Sequence, residues 1–502
     1  MGLAKVFSAA VVGLDAYPVE VEVDISNGLP SFTIVGLPDK AIEESKERVR
    51  SAIRNSGVEF PMKRITVNLA PADIKKEGPA YDLAIALGIL AASELILPIE
   101  QNLLFVGELA LNGNLRHVNG VLAIASSLSK SFKEIILPEI NRDEAAIVKN
   151  IIIRPVANLK DLIFYFKKEK SLARYYKKFK IQTQEKSEND FAYIKGQEQA
   201  KRALEIAAAG GHNVIFSGSP GAGKTLLARS MPSILPSMID EEVLEVTKIY
   251  SVAGLLPPDQ PLVGLRPFRA PHHTTSSVAL VGGGTYPRPG EITLAHRGVL
   301  FMDEFPEFPR SVLEALRQPL EDGIVTVSRA QGSLQFPAKF ILVAAQNPCP
   351  CGYLGDTVKS CICTPQQIMR YQKRVSGPLL DRIDIHIEVP RLKYEKISDE
   401  SIGEGSLDIK KRVEKARNIQ QKRLKKINAE MTARELKKYC GLDEVSKKLL
   451  ASAVNQFHLS VRQYTRVLKV SRTIADLENS PNIKTSHIAE ALQYRPKEQN
   501  MY

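Results

Sequence analysis

The chain has 502 residues, 44% hydrophobic and 25% charged, which is ordinary for folded domains and excludes a disordered or collagen-like polypeptide. Five cysteines in this length exclude a disulfide-stapled scaffold, and no uninterrupted apolar run reaches membrane-spanning length. The formal net charge of +12 leans toward a polyanionic partner.

The length predicts about three domains. The opening Met1-Gly-Leu-Ala-Lys-Val-Phe lacks a signal-peptide layout, so the expectation is a cytoplasmic protein with no membrane partner. Residues 1–165 read as an α/β domain. Val19 to Ile25 alternates apolar residues with Glu20, Glu22 and Asp24, as a half-buried strand does, and Ser31 to Val35 is expected to pair with it. Lys40 to Asn55 has helical period, with Gly57 as its stop. Arg64 to Leu69 predicts a strand, Tyr81 to Ala92 an apolar helix entered through Gly78-Pro79, and Leu103 to Leu109 and Glu134 to Leu137 further strands.

This order, with Gly78-Pro79 before a helix and then Gly107-Glu108-Leu109, is similar to the ribosomal-S5-like fold of Lon protease domains. Lon-type enzymes carry a nucleophilic Ser directly after Gly-Pro and a Lys after a later Gly-x pair. Here Ala80 and Leu122 stand at those positions. A Ser–Lys dyad needs both groups, so the domain reads as a non-proteolytic relative used for subunit or nucleic-acid contacts.

Residues 166–190 shift in composition. Residues 167–180 hold seven Lys/Arg against one Glu, interleaved with Tyr175, Tyr176 and Phe179. Two readings stand, a solvated linker and a nucleic-acid-binding stretch.

Residues 191–390 are expected to be an ATPase core. It opens at Ile194-Lys195-Gly196-Gln197, continues into an Ala-rich helix (Ala200 to Ala209) and reaches the apolar Val214-Ile215-Phe216. There follows Gly218-Ser219-Pro220-Gly221-Ala222-Gly223-Lys224-Thr225, a full P-loop with a strand before it and a helix after it. Glycines let the backbone N–H groups face phosphate oxygens, Lys224 reaches the β- and γ-phosphates, and the Thr225 hydroxyl suits Mg²⁺. ATP and Mg²⁺ are the expected cofactors.

Val299 to Met302 is an apolar strand ending in Asp303-Glu304, the first acid suited to Mg²⁺ and the second to activating water. Phe340 to Ala345 is the next strand, and Asn347 just beyond it suits sensing of the γ-phosphate, or capping of the next turn. In Leu379-Leu380-Asp381-Arg382-Ile383-Asp384, Arg382 is the candidate arginine finger toward a neighbouring subunit's nucleotide. Its bland alternative is an ion pair with Asp381 or Asp384.

These pieces resemble the AAA+ ATPases, in particular the magnesium-chelatase/MCM branch. From Pro267 to Glu304 the chain reads P-F-R-A-P-H-H-T-T-S-S-V-A-L-V-G-G-G-T-Y-P-R-P-G-E-I-T-L-A-H-R-G-V-L-F-M-D-E, close to magnesium-chelatase subunit I and its bacterial YifB/ComM relatives. With the Lon-like domain ahead, the YifB/ComM resemblance covers essentially the whole chain. Gly-Ser-Pro in the P-loop and Met302 depart from the family's usual residues without touching a chemical group. The resemblance places the 267–304 insertion near a ring's pore, where Gly282, Gly283, Gly284, Arg269 and Arg288 suit DNA backbone, or form a purely structural loop. His272 and His273 could ligate metal, but no third ligand stands at suitable spacing.

Cys349-Pro-Cys351, nine residues, then Cys361-Ile-Cys363 admit a Cys₄ zinc site, free structural thiols or a redox switch; the single-residue gaps are tight for a mononuclear tetrahedron. Residues 391–502 are expected to be a helical lid. Within it, 410–438 carry twelve Lys/Arg against three acids, a solvated face or a DNA contact. Ser460-Val461-Arg462-Gln463-Tyr464 opens an amphipathic helix through Leu477. The AAA+ resemblance makes Arg462 the sensor-2 candidate, with Arg466 a competitor one turn on.

The fold class is therefore α/β: a P-loop AAA+ core with helical lid, preceded by an S5-like α/β domain. The resemblance implies a homohexameric DNA motor on single-stranded or branched DNA. It would drive branch migration so that incoming strands integrate by homologous recombination in transformation, with a recombinase on the same DNA as a further partner. The alternatives are a metal-insertion motor like magnesium chelatase and a protein-remodelling ATPase, for which Tyr286 would be the aromatic pore residue.

Overall fold

A computed structural model describes residues 2–179, 189–284, 287–329, 332–392, 396 and 402–495. Tyr286 lies outside them. The chain divides into two compact units, Met1–Ile181 with Val243–Val263, and Gln182–Glu242 with Gly264–Tyr502.

The first unit is built on a seven-stranded mixed sheet in the order Ser31–Val35, Arg64–Ala70, Asp15–Ser26, Gly2–Val12, Leu103–Phe105, Glu134–Pro138, Ile152–Val156. Ser31–Val35 does not pair with Asp15–Ser26 as expected. It runs parallel to Arg64–Ala70, which takes one edge of Asp15–Ser26, while the N-terminal hairpin puts Gly2–Val12 on the other. Both edges are thus filled by longer partners before the five-residue strand can compete. Helix Lys40–Asn55 is capped by Asp39, whose carboxylate accepts from the Ile42 N–H at 2.9 Å. Helix Asp82–Ala92 is apolar on nearly all faces and buried throughout except at Ala91. Ala80 offers no nucleophile. Leu122 is buried, its N–H donating 2.8 Å to the Glu144 carboxylate. Glu144 also accepts from the Ser251 hydroxyl, which fastens Val243–Val263 to this unit although it lies between P-loop and acids in sequence. In the basic stretch, Tyr175 and Lys177 both hydrogen-bond Asp143, so part of it is tied down within the unit.

The second unit carries a five-stranded sheet, parallel throughout, in the order Phe268–Arg269, Val299–Met302, Ile341–Gln346, Val214–Ser217, Ile385–Glu388. Its three central strands are near-continuous apolar runs, as strands covered on both faces must be. Helix Glu198–Gly210 packs against Ser406–Leu424 and Val461–Leu477, joining the C-terminal helices to the sheet through one core. Helices Ala433–Tyr439, Glu444–Gln456 and Thr485–Gln493 complete that region, and Val461–Leu477 starts from a capping box of Ser460 and Gln463. Because all five strands run one way, everything that follows their C-terminal ends gathers on one edge of the sheet.

Candidate functional site

On that edge the P-loop leaves strand Val214–Ser217 and enters helix Lys224–Ser230. Gly218 is required by packing, since a Cβ there would lie 2.2 Å from the Val389 carbonyl oxygen. Gly221 and Gly223 hold φ of +77° and +90° with open space where a side chain would stand. Any side chain would fill that hollow, so the loop fits a phosphate group. Lys224 donates to the carbonyls of Gly218 (2.6 Å) and Ser219 (3.0 Å) and to Oδ1 of Asn347 (3.1 Å). Burial pushes its ammonium pKa down, against the opposing pull of Asp303. Ser219 and Ala222 are buried, and Gln197 donates to the Ala222 carbonyl at 3.2 Å, bracing the loop's far side.

The strand carrying Asn347 lies between the P-loop strand and the acid-bearing strand, which is how one amide reaches Lys224. The Thr225 hydroxyl donates 2.8 Å to Asp303 Oδ2, and Asp303 Oδ1 accepts from the Glu304 N–H at 2.9 Å. A hydroxyl and a carboxylate side by side next to a phosphate hollow are hard oxygen donors suited to Mg²⁺. Glu304 has left-handed backbone, φ +50°, which turns its side chain out of the strand. Its carboxylate meets His273 Nδ1 at 2.9 Å, and the His272 ring lies 4.1 Å from that of His273. His273 therefore faces Glu304 rather than a metal cluster. The structure brings together Lys224, Thr225, Asp303, Glu304 and Asn347, and adds His273.

Arg382 and Arg462 stand elsewhere. Arg382 precedes strand Ile385–Glu388, and its carbonyl accepts from the Asn213 side chain just ahead of Val214, so it sits at the N-terminal edge of the sheet. It pairs with Glu321, not with Asp381 or Asp384, and Arg462 Nη2 lies 4.0 Å from the same carboxylate. Asp384 is engaged by Arg466 at 3.3 Å and by His212 at 3.4 Å, which gives Arg466 a structural partner and leaves Arg462, 58% exposed, as the outward cation. Sequence reasoning missed Glu321, since nothing local marks an acid shared by two arginines more than sixty positions apart.

The four clustered cysteines converge. Their sulfur atoms all lie within 4.8 Å of one another, with Cys349–Cys351 at 3.4 Å and Cys361 at 3.6 Å from each of those two. Tetrahedral zinc with Zn–S bonds near 2.3 Å has S···S edges of about 3.8 Å. The single-residue gaps that looked tight in sequence thus do not keep four sulfurs from converging on one point. Backbone N–H groups of Tyr353 and Ile362 hold the Cys351 thiol well below its usual range, whereas burial and the neighbouring thiols push Cys361 and Cys363 up against their own backbone hydrogen bonds. Among the described residues no other group of three or more His, Cys, Asp or Glu is placed to share an ion.

A phosphate-binding loop, acids two strands further along and a helical C-terminal region make this an AAA+ ATPase of the magnesium-chelatase type. Three family profiles run along it: "Magnesium chelatase, subunit ChlI" over residues 190–397, "Subunit ChlI of Mg-chelatase" over 21–141, and "Magnesium chelatase, subunit ChlI C-terminal" over 403–495. The chain belongs to the YifB/ComM family. It is 47% identical to the competence protein ComM of Haemophilus influenzae, over 99% of this chain and 98% of that protein. It is also 44% identical to the uncharacterized protein YifB of Escherichia coli, over 99% and 97% respectively. The magnesium-chelatase 38 kDa subunit of Cereibacter sphaeroides is 29% identical, over 32% of this chain and 52% of that protein.

Proposed function

We propose that the chain is the protomer of a homohexameric, ATP-driven DNA motor that migrates branched DNA and promotes integration of single strands during recombination and transformation. The observation that carries the ring is the position of Arg382. It occupies the sheet edge opposite its own P-loop, so the triphosphate it serves belongs to a neighbouring subunit. Arg462, sharing Glu321 with it, acts on the same neighbour. The DNA reading is supported by full-length similarity to a competence protein and by the +12 net charge.

The phosphates lie against Gly218 to Thr225, and Lys224 leaves its carbonyl and Asn347 partners to neutralise them. Thr225 and Asp303 would hold Mg²⁺, which would supply positive charge to the phosphates. Glu304, oriented by His273, takes the proton of the attacking water, and Asn347 positions that water. Cys349, Cys351, Cys361 and Cys363 would hold a structural zinc ion. The nucleotide state is read by the helical lid and passed to the insertion around Gly282 and Gly283, where DNA is gripped.

The test is ATP hydrolysis by the purified protein with and without single-stranded and forked DNA, beside a Glu304→Gln control. Stimulation by DNA that vanishes in the variant supports the motor and leads to a Holliday-junction migration assay. Hydrolysis indifferent to every DNA refutes it and redirects attention to a metal-insertion or protein-remodelling motor.

A further inference from the structure

The segment from Asn347 to Cys363 contains no helix or strand, yet it leans on the phosphate loop. At its root, Asn347 receives Lys224. Gly352, at φ +85°, approaches so closely that a Cβ there would fall 2.6 Å from Cδ of Pro220. Asp356 closes its own turn by accepting from the N–H groups of Val358 (2.8 Å) and Lys359 (3.0 Å). The backbone N–H groups of Lys359 and Val358 hold the Asp356 carboxylate below its usual range. One irregular segment thus meets Pro220 and Lys224.

An irregular loop of this length needs a cross-link to hold such contacts, because closing it costs chain entropy that its few backbone bonds do not offset. The cysteines sit at its two ends, Cys349 and Cys351 at the start and Cys361 and Cys363 at the close, with Gly352 and Asp356 between them. Further ties at its ends are the Cys351 N–H to Cys363 Sγ (3.4 Å), the Gly352 N–H to the Cys349 carbonyl (3.0 Å) and the Gln372 amide to the Pro348 carbonyl (3.3 Å).

We propose that zinc bound by Cys349, Cys351, Cys361 and Cys363 braces the P-loop through Gly352, so that metal loading sets the protein's affinity for ATP. The inference rests on the zinc assignment above and adds a nucleotide-binding role to it. The metal is remote from the reacting phosphates in function. It acts on ground-state binding, through the shape of the loop, and not on the water-activating acid.

The experiment uses the full-length protein. Zinc is counted by its release with a thiol-specific mercurial into a chromogenic chelator. The dissociation constant of a fluorescent ATP analogue is measured as purified, after chelator depletion, and after Zn²⁺ is restored. We expect one zinc per chain, about tenfold weaker nucleotide binding on depletion, and recovery with Zn²⁺. Gly352→Ala should keep the zinc and still weaken binding, because its methyl group displaces Pro220. Cys361→Ser with Cys363→Ser should lose both, and if that variant fails to fold, reversible depletion of the wild type still decides. Wild type that neither holds zinc nor takes it up overturns the metal site. Zinc present but nucleotide affinity unchanged on its removal, with Gly352→Ala like wild type, overturns the brace. Zinc-loaded protein that binds no ATP refutes the ATPase reading instead.

Discussion

Replacing Arg382 by alanine should silence hydrolysis at a site that is not its own. Strand Val214–Ser217 spans four residues, about 13 Å at roughly 3.3 Å each, and separates Arg382 from the P-loop of the same chain. An arginine side chain anchored at the far edge and paired with Glu321 does not bridge that distance. Removing an arginine finger lowers kcat by about 10³- to 10⁵-fold, a barrier increase of about 4 to 7 kcal/mol. Arg382→Ala alone should therefore be nearly inactive while binding ATP normally, since its own P-loop is untouched. Glu304→Gln alone should be inactive with its arginine intact. Co-assembled at equal amounts, an interface pairing the Arg382→Ala nucleotide site with a Glu304→Gln arginine is complete, and random mixing makes about a quarter of interfaces so. Steady-state ATPase assays on refolded or co-expressed mixtures should recover a comparable fraction of wild-type activity. Absence of recovery, or Arg382→Ala retaining more than about a tenth of wild-type kcat, would refute action in trans.

Three further outcomes follow from the same geometry. His273→Ala should lower kcat about tenfold with KM for ATP unchanged, because Glu304 loses its orienting partner, while His273→Asn should restore part of the rate; an altered KM would point to a different role. Gly218→Ala should abolish nucleotide binding in an equilibrium titration, as its methyl group meets the Val389 carbonyl; normal binding would refute the packing argument. Burial depresses the pKa of His386 to about 4, with its Nε2 enclosed and unpartnered. Above the unfolded value near 6.5 its neutral form is fully compatible with folding, and stability falls as pH drops from about 6.5 toward 4, by up to about 3 kcal/mol. Denaturant melts across that range should show the slope, and His386→Gln should flatten it.

What could be read from the chain was what is encoded locally. The P-loop spans eight consecutive residues whose backbone needs are written in their glycines. Lys40–Asn55 carries its own cap and stop. Asp303-Glu304 and Asn347 follow apolar runs whose ends are visible without knowing their neighbours. Pairings set over long separations were not legible. The partner of Ser31–Val35 depends on a hairpin and a strand competing for the same edges. His273 with Glu304, Arg382 with Glu321, and Gly352 against Pro220 each join residues whose approach is decided by the sheet, not by spacing. The cysteines fall between: their clustering was plain, but whether single-residue gaps let four sulfurs converge was a question of loop shape.

Glu321 has a thermodynamic meaning for assembly. In a lone protomer it neutralises both Arg382 and Arg462, so those cations have something to lose when they turn toward a neighbour. In the proposed ring, a charge-rich phosphate presented across the interface would repay that loss. Subunit association and nucleotide occupancy would then be linked by one free energy, each strengthening the other by the same factor. Removing the acid would uncouple them: Glu321→Ala protomers should associate without nucleotide, and rings so formed would gain less from adding ATP.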